Sequence, residues 1–216
     1  INVDDYIGIN KTIFIANPNA PTGIALPLCD IERIIKSNPD NVVVIDEAYV
    51  DFGGESAVNL IHKYDNLLVT QTFSKSRSMA GARLGFGIGC KELINDLNTV
   101  KYSTNPYNIN RMTMAAGIGT LLDDDYTQKC CKTIIENREY TANELKKLGF
   151  TMTPSSANFV FAKHESVSGE KIYTELKARG ILVRHFTKSE ICQYNRITIG
   201  TKEQMQALLS ALEEIL

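Results

Sequence analysis

Several features that mark special classes of protein are missing from this sequence. It has no run of five or more basic residues, and its formal net charge is −2, so nucleic acid is not an expected partner. No apolar stretch approaches the roughly 20 residues that cross a bilayer. The acidic start at residues 1–5 lacks the charged-then-apolar pattern of a secretory signal. We therefore expect a cytoplasmic protein that does not insert into a membrane.

Cysteine and histidine are too few and too scattered to indicate a metal site. The chain has 5 cysteines without a Cys-x-x-Cys pair, and its 3 histidines are far apart in sequence. Zinc sites use four such ligands at short, regular spacings. Reduced and mostly buried thiols are the ordinary interpretation of this pattern, and we predict no metal site.

What the sequence does contain is the pattern of an α/β protein. Apolar runs that stop at turn residues predict strands at 11–16, 42–45, 67–70 and 83–88, with a helix at 28–37 between the first two. The run at 42–45 is β-branched throughout and has no polar face, which is typical of a strand covered on both sides in a parallel sheet. Alternating strands and helices predict a mostly parallel sheet with right-handed crossovers.

The pattern changes near residue 123. A long helix is predicted at 124–148, followed by strands at 158–162, 181–184 and 196–199, by a helix at 169–179, and by a terminal helix that begins at Thr201. Thr201 and Gln204 have the spacing of a capping box. We predict a large α/β domain at 1–122 and a smaller α+β domain at 123–216.

Polar side chains gather where the predicted parallel strands end. Asp46 follows the second strand, and Lys75 follows the third, just after Thr72 and Ser74. In open α/β sheets, ligands bind outside the carboxyl ends of the strands, and a lysine amine placed there can attack a carbonyl. Taken singly, Lys75 is an ordinary loop lysine and Asp46 an ordinary helix N-cap.

Together these residue types match the needs of a pyridine cofactor. Such a cofactor needs a lysine for a Schiff base, a carboxylate that keeps the ring nitrogen protonated, and cationic and hydroxyl groups for its phosphate. Tyr49, three residues after Asp46, and Arg83, after Lys75, complete the set. Alone, Tyr49 is a core tyrosine and Arg83 a surface ion-pair partner. Their occurrence in order at strand ends favours the cofactor site.

Three segments resemble the signature blocks of fold-type I pyridoxal-phosphate aminotransferases. They read NPNAPTG at 17–23, DEAYVDF at 46–52 and TFSKSRSMAGARLGF at 72–86. Blocks at 106–110, 156–160, 180–184 and 196–201 also agree, so the resemblance extends over nearly the whole chain. Within this family the sequence is most similar to the histidinol-phosphate aminotransferases. The resemblance implies the family's large α/β domain, followed by a smaller α+β domain.

The resemblance also implies roles for the residues at the cofactor. Lys75 would be the catalytic lysine that forms the Schiff base and later moves a proton between the substrate carbon and the cofactor. Asp46 would pair with the ring nitrogen and Tyr49 with the phenolic oxygen of pyridoxal 5′-phosphate. The phosphate would be held by Thr72, Ser74 and Arg83.

For the substrates, the resemblance implies a reaction of histidinol phosphate with 2-oxoglutarate that gives imidazole acetol phosphate and glutamate. Arg196 would clamp the carboxylate of glutamate or 2-oxoglutarate. Arg184 and Tyr107 are candidates for the phosphate of the amino substrate. Members of the family are dimers, so a homodimer is expected.

Two departures from the family pattern stand out. The family has Asn immediately before Pro-Thr-Gly, where this sequence has Ala20. Asn17 or Asn19 is a candidate replacement, or Tyr49 acts alone on the phenolic oxygen, and we retain Asn19 as the candidate. The chain also lacks a segment corresponding to the family's first third, so we expect it to be part of a longer enzyme.

Other interpretations stay open at this point. Another enzyme of the same superfamily, an aromatic aminotransferase or a threonine-phosphate decarboxylase, would use the same Lys75 and Asp46. A non-catalytic portion that serves only as a structural or dimerising module is the alternative from a different class.

Overall fold

The chain forms two compact units in a computed structural model that describes residues 1–107 and 109–216. One unit consists of Ile1–Pro18 and Ala25–Gln128, and the other of Asn19–Ile24 and Lys129–Leu216. The sequence placed the change between domains at residue 123. The division into domains at 1–122 and 123–216 stays a prediction. No helix in the described part of the chain has the length and apolar character needed to span a membrane.

The first unit is built on a four-stranded sheet whose spatial order follows the chain. Its strands are β1 (Ile13–Ala16), β2 (Val43–Asp46), β3 (Leu67–Thr72) and β4 (Gly85–Gly89). The first three strands run parallel, and β4 is antiparallel to β3. The predicted mostly parallel sheet is confirmed, and each predicted strand agrees with an observed one to within two residues at both ends.

One face of this sheet is covered by α1 (Leu28–Ser37), the helix between β1 and β2. Ile31, Ile34 and Ile35 recur at helical spacing and are fully buried against the sheet. Each contributes about 1.5–3 kcal/mol relative to an exposed side chain. The helix ends at Asn38, whose side-chain amide donates to the carbonyl of Ile34 at 2.8 Å.

The opposite face is less well covered at its first strand. Phe14, in the middle of β1, points away from the buried isoleucines and is 74% exposed. Two helices follow β4, α2 (Lys91–Thr104) and α3 (Arg111–Leu122). In α3, Gly117 lies so close to Leu84 that a Cβ there would be 2.5 Å from the leucine Cδ2. A side chain at residue 117 would therefore require the buried Leu84 side chain to shift.

The second unit contains a separate antiparallel sheet. The long helix α4 (Asp124–Lys147) precedes it and is followed by Gly149, which adopts the left-handed conformation that ends many helices. The strands are β5 (Phe150–Met152), β6 (Phe159–His164), β7 (Arg184–His185) and β8 (Asn195–Thr198), in the order β5-β6-β8-β7. The helices are α5 (Gly169–Ala178) and α6 (Lys202–Ile215). The predicted α+β organisation of this part is confirmed.

This unit has its own hydrophobic core. Its buried members come from the strands as well as from the helices α4, α5 and α6, and the helices contribute Leu145, Ile172, Leu176, Leu208 and Leu212. The predicted capping box of α6 is present. The Thr201 hydroxyl accepts from the Gln204 N–H, and the Gln204 side chain accepts from the Thr201 N–H at 2.9 Å.

Candidate functional site

Asp46 is the last residue of β2 and lies at the carboxyl edge of the first sheet. It is aligned with Thr70 of β3 and is exposed. Its Oδ1 accepts from the Ala48 N–H at 3.1 Å, which turns the chain out of the strand. Tyr49 follows in this turn and is half-buried. Both residues therefore lie where the parallel strands end.

Lys75 lies at the same edge, after β3. The chain turns at the end of this strand, where the Ser74 N–H donates to the Thr72 hydroxyl at 3.0 Å. Lys75 is exposed, and its Nζ is 5.2 Å from the centre of the Tyr49 ring. Adjacent parallel strands thus bring the predicted lysine next to the segment that carries Asp46 and Tyr49.

Arg83 precedes β4, which runs back alongside β3. The Phe73 N–H donates to the Leu84 carbonyl at 3.1 Å. Arg83 therefore directly precedes a residue that is hydrogen-bonded to the start of the lysine loop. Arg83 is exposed, has a left-handed backbone with φ 54°, and donates from Nη1 to the Ala80 carbonyl at 3.0 Å. The Thr72 hydroxyl donates to Leu84 at 3.4 Å.

The residues at this edge fit the chemistry of pyridoxal phosphate. A carboxylate, a primary amine beside an aromatic ring, hydroxyl groups and a guanidinium all lie on three neighbouring strand ends. The carboxylate can keep the ring nitrogen protonated, and the amine can react with the aldehyde. The guanidinium and the hydroxyl groups can donate hydrogen bonds to the phosphate.

Glu47 is a residue of this edge that the sequence analysis did not single out. It is only 2% exposed, and its carboxylate accepts three hydrogen bonds, from the Ser56 hydroxyl at 2.7 Å, the Ala57 N–H at 2.6 Å and the Gln71 amide at 2.8 Å. Burial raises the pKa of Glu47, and the charge of Asp51 raises it further, while the three hydrogen bonds lower it less than burial raises it. A sequence does not reveal that a glutamate beside Asp46 is buried.

Asp51 and Ser76 form a second link that the sequence did not reveal. The Ser76 hydroxyl donates to Asp51 Oδ2. Asp51 comes two residues after Tyr49, and Ser76 directly follows Lys75. The only sequence signal for this pair was its position inside the two signature blocks.

Arg77 connects the lysine loop to the start of α4. Its side chain donates to the Thr120 carbonyl at 2.6 Å and to the Thr127 hydroxyl at 3.2 Å. It also pairs with Asp124 at 3.0 Å and lies over the Phe73 ring. These contacts fix the segment two residues beyond Lys75.

In the second unit, Arg184 and Arg196 are brought together by strand pairing. They are direct partners in the register of β7 and β8. Two like charges in opposite positions of a sheet repel each other. Arg196 Nε is buried and is without a hydrogen-bond partner among the described residues. The pair is therefore suited to binding an anion.

A cavity of about 410 Å³ lies beside Arg184. Its lining combines the cationic side chains Arg184 and Lys188 with His185 and with the aromatic rings of Tyr173 and Phe186. Cationic and aromatic groups together suit a ligand that has both an anionic group and a flat ring.

The predicted residues Asn19 and Tyr107 have different surroundings. Asn19 belongs to the second unit, where its Oδ1 accepts from the Thr22 hydroxyl at 2.8 Å. Asn17 is buried, and its side-chain amide donates to the Leu26 carbonyl and accepts from the Leu26 N–H. Its side chain is therefore occupied by bonds to the backbone. Tyr107 is almost fully exposed. Asn108, part of the resembling block at 106–110, lies outside the described residues.

Known proteins similar to this chain agree with the predicted family. The family model for aminotransferase class I and II matches residues 4–212. The histidinol-phosphate aminotransferases of Clostridium botulinum and Brachyspira hyodysenteriae are 46% and 49% identical to the chain over 216 and 217 residues. Both matches cover 100% of this chain and 61% of the relative.

A solved structure leads to the same family. The histidinol-phosphate aminotransferase from Clostridium acetobutylicum is 28% identical and superimposes with a TM-score of 0.91, over 100% of this chain and 67% of that chain. The chain thus spans 61% of the length of the curated relatives named above. The predicted resemblance is confirmed by the family match over residues 4–212: the chain belongs to the class I and II aminotransferases.

Proposed function

We propose that the chain provides cofactor and substrate groups of a pyridoxal-phosphate aminotransferase that acts on histidinol phosphate and 2-oxoglutarate. The products are imidazole acetol phosphate and glutamate, a step of histidine biosynthesis. The observation that carries the proposal is the approach of Lys75 Nζ to 5.2 Å from the Tyr49 ring, at the strand edge that also holds Asp46. The names of relatives at 46–49% identity support the choice of substrate.

Each cofactor residue has one task in this proposal. Pyridoxal phosphate, when bound, supplies an electrophilic aldehyde and an electron-withdrawing ring. The Asp46 carboxylate holds a proton at the ring nitrogen, and the Tyr49 hydroxyl orients the ring through its phenolic oxygen. The phosphate is bound by the group Thr72, Ser74 and Arg83.

Lys75 has two tasks: its amine binds the aldehyde of the cofactor, and it acts as a base. Its Nζ removes the proton from the α carbon of the amino substrate and returns a proton during the second half of the reaction. The exposure of Lys75 and its position beside an aromatic ring support this role, because the amine is accessible and its side chain has a surface to lie on.

Arg196 and Arg184 bind the anionic groups of the substrates. Arg196 takes the carboxylate in a bidentate geometry, and Arg184 and Tyr107 take the phosphate of the amino substrate. The unpartnered Nε of Arg196, the pairing of two arginines across β7 and β8, and the adjoining cavity of about 410 Å³ support these assignments.

Asn19 is proposed to replace the amide that Ala20 lacks. Its Oδ1 already accepts from Thr22, so it would act on the cofactor's phenolic oxygen through its Nδ2 donor.

We further propose that the protein works as a homodimer in the cytoplasm. Apolar side chains of α3, including Met112, Ile118 and Leu122, are exposed in the chain, and exposed apolar patches of this kind are typical of subunit interfaces. Sedimentation equilibrium measures the mass, and Leu122→Lys should lower the dimer fraction. All five cysteines are free thiols, the state that the cytoplasm maintains.

Cofactor binding is the first test. Purified chain is titrated with pyridoxal phosphate and its visible absorbance is recorded, for wild type, Lys75→Ala and the control Lys91→Ala at an exposed helix position. We expect a band in wild type and in the control that Lys75→Ala lacks. A band that persists in Lys75→Ala contradicts the assigned lysine.

Turnover is the second test. The chain is assayed alone and as a chimera preceded by the part of the Clostridium botulinum relative that the match leaves uncovered. Glutamate formation from histidinol phosphate and 2-oxoglutarate is compared with turnover of phenylalanine and with decarboxylation of threonine phosphate. Preference for either of the last two overturns the substrate assignment, and a chimera inactive on all three overturns the function.

A further inference from the structure

We propose that Asp51 and Ser76 form a latch that positions the Lys75 amine against the Tyr49 ring. Both would be positioning residues that act through their neighbours and do not touch the cofactor. The proposal rests on the proposed function, because it concerns the placement of the lysine assigned there.

The latch joins the two segments that carry the site. Asp51 lies two residues after Tyr49, Ser76 lies one residue after Lys75, and the Ser76 hydroxyl donates to Asp51 Oδ2. One side-chain bond therefore connects the backbone on both sides of the 5.2 Å contact between Lys75 Nζ and the Tyr49 ring. Opening the bond would let the lysine loop and the tyrosine turn move apart.

The two ends of the latch are held in different ways, because Asp51 is itself exposed whereas Ser76 is buried. Asp51 lies in the 3-10 turn Val50–Phe52, and the apolar residues on either side of it are buried. Ser76 is only 8% exposed, although Lys75 before it is exposed. The carboxylate is thus presented by a packed turn to a hydroxyl with little freedom, which makes the hydrogen bond a rigid connection.

Glu47 makes a parallel connection on the strand side of the site. Its carboxylate accepts from Gln71 of β3 at 2.8 Å and from Ala57 beyond the turn at 2.6 Å. The segment from Glu47 to Asp51 is therefore tied to the segment from Gln71 to Ser76 at both ends. Tyr49 and Lys75 lie between these two ties.

The latch and the bonds of Glu47 matter because the side chain of Lys75 is long and flexible. A reacting group that is misplaced by about 1 Å loses on the order of a hundredfold in rate. Residues behind a reacting group that fix its orientation typically contribute about 10–100-fold. The latch supplies that constraint one residue from the amine.

The test is a double-mutant cycle on binding of pyridoxal phosphate to the purified chain. Ser76→Ala, Asp51→Ala and the double variant are titrated by visible absorbance, and the pH dependence of the absorbance is recorded for each. Ser78→Ala, in the same loop, and Glu55→Ala, an exposed carboxylate near the turn, serve as controls. Melting temperatures show whether each variant is folded.

Each single latch variant should weaken cofactor binding by about tenfold, because a hydrogen bond to a charged group is lost. The double variant should be no weaker than either single variant, because both remove the same bond. The controls should stay within about twofold of wild type. Wild-type affinity in folded single variants, or losses that multiply in the double variant, would overturn the latch.

A readout without cofactor separates this proposal from the proposed function. If wild type shows no Lys75-dependent absorbance, the proposed function fails, and the latch is judged by trace labelling with acetic anhydride. Lys75 should react about threefold faster, relative to Lys91, in Ser76→Ala than in wild type, since its amine is no longer held against the Tyr49 ring and becomes more accessible to the reagent. Equal relative labelling in the two proteins would overturn the latch.

Discussion

Glu47 shows how strongly the surroundings of one residue can change its chemistry. Asp46 beside it is exposed at the sheet edge, whereas Glu47 is buried and accepts three hydrogen bonds. Burial raises the pKa of Glu47 above its ordinary value of 4.5. Two neighbouring carboxylates at the end of one strand thus have different roles. Asp46 is open to a ligand, whereas Glu47 binds groups of the protein itself.

This environment predicts a specific pH dependence of stability. With a folded-state pKa above 4.5, the contribution of Glu47 is fully present below pH 4.5 and is lost as the pH rises through the folded-state value. Wild type should therefore lose free energy of unfolding relative to Glu47→Gln as the pH rises above about 5. Urea unfolding of both proteins from pH 4 to pH 8 checks this. A difference that does not change with pH would contradict the assigned cause.

Arg77 provides a second prediction for a single residue. Its side chain is 17% exposed and makes an ion pair and two further hydrogen bonds, whereas Arg33 is 57% exposed and pairs with Asp4 at the surface. Arg77→Met should cost about 2 kcal/mol of unfolding free energy, and Arg33→Met less than about 1 kcal/mol. Chemical denaturation measures both. Equal losses would mean that burial does not strengthen the Arg77 contacts.

The sequence predicted the side chains of the site that are open to a ligand but not the residues that hold them in place. Lys75, Asp46 and Tyr49 follow strands or belong to known blocks, so their neighbourhood could be predicted. The bonds of Glu47 and the latch between Asp51 and Ser76 depend on burial and on segments far apart in the chain, which no local pattern encodes. The pairing of Arg184 with Arg196 depends in the same way on strand register.

Among the elements, the long and periodic ones were predictable, as were β6 and β8, whereas the two shortest strands of the second sheet were not. α1 was predicted at 28–37 and observed at Leu28–Ser37, because apolar spacing and the flanking prolines define it. β5 has three residues and was missed, and β7 was expected at 181–184 but is Arg184–His185. Strands this short exist through pairing with β6 and β8, which overrides local preference.

The capping box makes α6 the clearest element to test. Thr201→Ala removes the acceptor for the Gln204 N–H and should cost about 1 kcal/mol of unfolding free energy. Ser210→Ala, exposed on the same helix, should be near neutral. Thr201→Ser keeps the hydroxyl and should recover most of the loss. Urea denaturation followed by circular dichroism distinguishes these outcomes, and a loss in Thr201→Ser equal to that in Thr201→Ala would contradict capping.

The described residues form two separate hydrophobic cores. One core surrounds the first sheet and contains Ile34, and the other lies in the second unit and contains Leu212. Each of these side chains is fully buried. Since each unit buries its own apolar surface, the molecule meets the condition for two cooperative unfolding steps.

Calorimetry tests this organisation. Ile34→Ala and Leu212→Ala should each cost about 2–5 kcal/mol and should lower different transitions. The exposed substitution Leu182→Ala serves as a control that should leave both transitions in place. A single transition that shifts with either buried substitution would show that the two cores unfold together.

The outer side of β1 has a consequence for the chain in solution. In the described residues β1 pairs only with β2, so the backbone donors and acceptors along its other side are open to any extended strand, and Phe14 offers an apolar surface beside them. Two chains that meet there can join edge to edge. Joining of this kind would be second order in the concentration of the protein, so it would slow on dilution.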